Sequence, residues 1–73
     1  MSEKGSIIHQ VLEEVYPYLD KVDEVKEILY RFEGGSVEEL VRYLNLHIIA
    51  SSEPLKTDLR IFLRKLKEIA GLT

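Results

Sequence analysis

Gly34-Gly35-Ser36-Val37-Glu38-Glu39 is the stretch on which the fold turns. Glycine accepts the left-handed conformation found just past many helix ends, so the pair predicts a stop. The four residues after it predict a start. The Ser36 hydroxyl can cover the Glu39 amide while the Glu39 carboxylate reaches back, which is a capping box. On the near side Val22, Val25, Ile28, Leu29 and Phe32 recur at helical spacing. Asp20 is the natural cap of that helix, with Asp23 and Glu24 where the positive end of its dipole favours acids. On the far side Val37, Leu40, Val41, Leu44 and Ile48 form a core stripe. Leu46 and Ile49 fall off it. A helix apolar on more than one side is usually buried on more than one side, so this helix is expected at the centre.

Working outward, Ile7, Ile8, Val11, Leu12 and Val15 make an earlier amphipathic helix that Ser6 can cap. Pro17 cannot continue it, because it lacks the N–H and its ring clashes with the preceding turn. Tyr16-Pro17-Tyr18-Leu19 is therefore a corner. Beyond the connector Ser51-Ser52-Glu53-Pro54, Pro54 is preset for a first helical turn. The last helix buries Leu55, Leu59, Phe62, Leu63, Leu66, Ile69 and Ala70, and Gly71 stops it. No strand-length alternation and no internal repeat occurs. The expectation is one all-α domain over 1–73, a compact bundle with helices over about 6–16, 20–33, 36–50 and 54–70. A fifth helix follows if the Tyr16–Asp20 corner or the Asn45–Glu53 connector forms its own turn. Leu40, Leu44, Leu59, Phe62 and Leu66 should sit at the centre of the core.

Composition narrows the function classes. The 73 residues suffice for one hydrophobic core. A hydrophobic fraction of 45% argues against a disordered tail, and no long apolar run predicts a membrane span. Met1-Ser-Glu-Lys-Gly lacks the apolar core of a secretion signal, so a cytoplasmic protein is expected. With no Cys there is neither a disulfide framework nor a thiolate metal site. One Asn, one Gln and 32% charged residues suit a thermophile.

Enzymatic constellations are missing. Gly34-Gly35 follows a helix rather than a strand and has no Lys-Ser/Thr after it, so it is no phosphate loop. His9 and Glu13 stand one turn apart, but two ligands do not make a metal site. Ser51 and Ser52 have no sequence-local His or Asp to activate a hydroxyl. The expectation is a non-enzymatic binding domain with no cofactor, no metal and no small-molecule substrate.

Charge supplies the first clue to a partner. Residues 54–73 hold five cations against two acids, net +3, whereas residues 1–53 hold five against eleven, net −6. At about 100° per residue, Lys56, Arg60, Arg64 and Lys67 fall on one narrow stripe beside the apolar face, with Lys65 apart from them. Such a stripe can track phosphates, each contact releasing counterions. It can also complement the acidic helices, which offer many carboxylates.

The order of features from Glu24 onward resembles the tri-helical core of winged helix-turn-helix DNA-binding domains. Glu24-Val-Lys-Glu-Ile-Leu-Tyr-Arg-Phe is similar to their first helix and Gly35-Ser-Val-Glu-Glu-Leu-Val-Arg-Tyr-Leu-Asn-Leu46 to their second. Asp58-Leu-Arg-Ile-Phe-Leu-Arg-Lys-Leu-Lys-Glu-Ile-Ala-Gly-Leu72 is similar to the third. The likeness implies that the last helix enters the major groove, with Lys56, Arg60 and Arg64 as contacts. The Asn45–Glu53 connector is longer than that family's tight turn, and no wing hairpin is present. Apolar residues off the core stripes are the other clue. Leu46, Ile49 and Ile61 point to a seam for a protein partner or a homodimer, unless the first helix covers them.

Overall fold

The structure, a computed structural model, describes the backbone of residues 3–72 and the side chains of residues 7–72. Four helices carry it: α1 (Glu3–Val15), α2 (Val22–Tyr30), α3 (Val37–Ala50) and α4 (Leu55–Ala70). The corner after α1 forms a 3-10 turn, Tyr16–Tyr18, with Pro17 in its first turn. Among the described residues there is no strand, and the protein is an all-α bundle. Ser6 is the fourth residue of α1 rather than its cap, because the helix opens earlier, at Glu3; its side chain lies outside the described ones.

The hub of the bundle is α4, not α3: α1, α2 and α3 each pack against it. Asp58, Leu59, Phe62, Leu63 and Leu66 of α4 are all buried. The two residues that argued for a central α3 stay in solvent, Leu46 at 68% and Ile49 at 77% exposure. Their apolar character is a property of the surface. The expected centre is realised, since Leu40, Leu44, Leu59, Phe62 and Leu66 are each inaccessible.

The boundary at Gly34-Gly35 is in place, but it works differently from the expectation. Neither glycine takes a positive φ; among the described residues only Gly71 does, at 72°, where α4 ends. Gly34 serves a close approach instead. A Cβ there would stand 2.4 Å from the Phe32 ring, so only glycine lets that ring tuck under the chain. Ser36 caps α3 as expected, its Oγ accepting the Glu39 amide at 3.1 Å. The Glu39 carboxylate reaches back one residue further, accepting from the Gly35 amide at 3.1 Å and the Ser36 hydroxyl at 3.2 Å.

Helix α2 is shorter than expected, and both its ends are closed by other helices. Asp20 does not cap it. The helix starts after Lys21, which makes no side-chain cap. The Asp58 carboxylate of α4 instead accepts from the Asp20 amide at 3.1 Å and the Lys21 amide at 2.5 Å. At the other end the Tyr43 hydroxyl of α3 donates to the Ile28 carbonyl at 2.6 Å, one of the last-turn acceptors that a helix leaves unpaired. The Tyr43 ring lies between Phe32, with centroids 5.1 Å apart, and His47, at 4.6 Å. Nine residues are too few for a stable isolated helix, so α2 depends on these tertiary contacts.

Burial raises the Tyr43 phenol above its ordinary value of 10.0, with the Arg31 guanidinium opposing. The unfolded chain therefore releases this proton at lower pH than the folded one. The stabilisation is full below pH 10 and fades as pH climbs through the folded value. Tyr43→Phe is expected to cost about 0.5–1.5 kcal/mol at neutral pH. In urea melts, the gap between wild type and Tyr43→Phe should narrow above pH 10. A gap that widens with alkali would contradict this placement.

Candidate nucleic-acid interface

Unbroken helix over Leu55–Ala70 puts Lys56, Arg60, Arg64 and Lys67 on one edge of α4, as the spacing predicts. Arg60 and Arg64 are exposed, whereas Lys56 and Lys67 are half-buried. Arg60, Arg64 and Lys67 line a shallow groove whose other wall is Asn45 and Ile48 of α3. The cations thus border a trough between two helices.

Whether carboxylates neutralise this edge decides what it can do. Two ion pairs occur among the described residues: Arg31–Glu27 at 2.6 Å and Lys65–Glu68 at 3.5 Å. Neither involves Lys56, Arg60, Arg64 or Lys67. Lys65, which the spacing set apart from the stripe, is the one that pairs, and it occupies Glu68 in doing so. At the start of α4, Glu53 is committed elsewhere, accepting from the Thr57 amide at 2.8 Å and the Thr57 hydroxyl at 2.5 Å. Those two bonds, the hydroxyl's first, hold the Glu53 carboxyl below its ordinary range, and Arg60 and Lys56 lower it further from a distance. Glu53 thus tempers the field at the Lys56 end, while Arg64 shares a hollow with Glu14 and Glu68 without forming an ion pair to either, and Lys67 is outside both pairs.

Leu46, Ile49 and Ile61 are not brought together. Leu46 and Ile49 stand exposed on α3. Ile61 is half-buried and packs against the core, beside Glu14, Val15 and Tyr18. It occupies the α1 flank of α4, while Leu63 and Lys67 flank the side next to α3. The first helix and its corner partly cover Ile61 and leave Leu46 and Ile49 bare.

His9 and Glu13 line a hollow between α1 and α2 together with Tyr16, Lys26 and Tyr30. Among the described residues no group of three or more His, Asp or Glu side chains is placed to hold a metal. No described helix is long and apolar enough to cross a membrane.

Sequence reasoning missed two elements of this surface. The spacing allows the Tyr16–Asp20 corner to form its own turn, but it does not show that this turn leaves Tyr16 at 51% and Tyr18 at 69% exposure beside Tyr30 of α2 at 62%. Lys26 Nζ lies 5.5 Å above the Tyr16 ring. Clustering of three tyrosines within 15 residues of sequence was the available signal. Asn45, the chain's one asparagine, was the other, since it adds an amide to the cationic trough.

Neither a curated protein nor a solved structure matches the chain, and no helix-turn-helix family is identified. A family model does match over residues 6–70, which takes in nearly all of the four-helix bundle. On that match the chain belongs to the MJ1579 family.

Proposed function

We propose that this domain is a non-enzymatic nucleic-acid-binding module whose contact surface is the cationic edge of α4. One observation carries the reading: Lys56, Arg60, Arg64 and Lys67 stay out of ion pairs with the described carboxylates of an otherwise acidic protein. Cations evolved to neutralise the bundle would sit against its glutamates, as Lys65 does. Cations kept apart in a line suit a polyanion, whose phosphates exchange condensed counterions for them. Asn45 in the same trough supplies a donor and an acceptor.

Four phosphate contacts set the expected magnitude. The observed affinity should fall with salt at a log–log slope of roughly −3 to −4. Anisotropy titrations with labelled oligonucleotides between low and physiological salt measure it. Arg60→Glu/Arg64→Glu should weaken binding at least about tenfold and roughly halve the slope. Equal binding by the double variant would remove the edge as the site.

A second reading rests on Leu46 and Ile49, two large apolar side chains left bare on α3. There the domain associates with a protein or with its own copy. Light scattering at high concentration tests the self-association form of this reading, because a strict monomer removes it.

A further inference from the structure

Three hollows follow one another across the surface of the protein. The first is the α3–α4 trough with Arg60, Arg64 and Lys67. The second lies on the other flank of α4, and Arg64 belongs to it as well, together with Tyr18, Ile61 and Lys65. The third is entered across the 3-10 turn that carries Tyr18 and holds Tyr16, Lys26 and Tyr30 between α1 and α2. Adjacent hollows are joined by a shared residue or a shared turn. Along this path the cations of α4 give way to the exposed rings of Tyr18, Tyr16 and Tyr30, with Lys26 among them. Carboxylates border it too: Glu14 and Glu68 in the second hollow, Glu13 in the third, with Glu68 tied to Lys65.

That succession of cations and rings fits one form of nucleic acid. Every base has a face that can stack on an aromatic ring, and a flexible strand can bend from a trough over a corner. A duplex hides its base faces and would leave the tyrosines unused. It also offers a major groove about 12 Å wide, which takes a protruding helix. Here α4 is the hub, packed by all three other helices and flanked by α3 on one side and the α1 corner on the other.

Resting on the cationic-edge reading above, we propose that the strand bound here is single-stranded, with bases stacking on Tyr18 and Tyr16 beside phosphates held by Arg64 and its neighbours. The test uses fluorescein-labelled dT15, rU15 and a 15-base-pair duplex at low salt. The protein has no Trp, so tyrosine emission provides an independent signal. Wild type should bind the single strands more tightly than the duplex, and they should quench tyrosine emission. Tyr16→Ala/Tyr18→Ala should bind them at least about 30-fold more weakly, the equivalent of losing two stacked bases. Its duplex affinity and its melting curve should hold, because both rings are largely exposed. Tyr18→Phe should bind like wild type, since the ring and not the hydroxyl does the stacking. A wild-type preference for duplex would overturn the proposal, as would full single-strand affinity in the tyrosine double variant. If the tyrosine variant is silent while Arg60→Glu/Arg64→Glu loses binding, stacking falls and the cationic edge stands. If both variants are silent, both readings fall.

Discussion

Asp58→Ala should cost roughly 3–6 kcal/mol, since two hydrogen bonds to a charged acceptor contribute about 1.5–3 kcal/mol each. Asp58 is 1% exposed, and its carboxylate accepts from the Asp20 and Lys21 amides. Burying a carboxylate is costly unless donors surround it. Here it stands at the amino end of α2, where two backbone amides and the helix dipole supply the compensating positive potential. Alanine removes the acceptor and leaves both amides unpaired beneath α4. Asp58→Asn keeps one acceptor and most of the volume, so it should lose about half as much. Urea melts give the two free energies. Amide exchange at Asp20 and Lys21 gives a local reading, and protection there should fall in Asp58→Asn before the core opens. An alanine variant within about 1 kcal/mol of wild type would mean that these amides are hydrated and α2 is held by its apolar face alone.

Such a residue shows why some of this fold was legible in the sequence and some was not. Local periodicity located all four helices, because Val25, Leu29, Leu40, Leu44, Leu59, Phe62 and Leu66 obey a spacing that any helix must obey to bury one face. Ser36 was legible for the same reason, its partner Glu39 being three residues away. Asp58 was not. It caps a helix 37 residues earlier in the chain, and nothing in its own neighbourhood distinguishes it from a solvated first-turn acid. Tyr43 follows the same pattern, with its acceptor 15 residues away. The end of α2 was misjudged because glycine suggests a left-handed cap, whereas Gly34 is needed for its missing Cβ under the Phe32 ring. At the surface, spacing along one helix gave the cationic edge of α4 directly. The groove wall contributed by Asn45 and the tyrosines beyond Arg64 depend on how helices sit beside one another, which no single helix encodes.

Phe62→Ala should be more damaging than a typical core truncation, at about 3–5 kcal/mol. Phe62 is the largest of the fully buried side chains and sits on α4, against which the other three helices pack. Its removal opens a void at the place where their apolar faces converge. Neighbours cannot close it cheaply, since Leu59 and Leu66 lie one turn away on either side of it, themselves fully buried. At 0.05–0.15 kcal/mol per residue, a chain of this length has a total stability of about 4–11 kcal/mol, so this one truncation removes a large share of it. Each kcal/mol moves the melting midpoint of a domain this size by about 4–8 °C, so the variant should melt well over 10 °C below wild type or fail to fold at 37 °C. Phe62→Leu keeps most of the apolar volume and should therefore retain most of the stability. Calorimetry on the pair distinguishes packing from mere hydrophobicity. A leucine variant as unstable as the alanine one would mean that ring shape, not volume, holds the three helices to α4. An unmoved midpoint in Phe62→Ala would mean that α4 is not the hub.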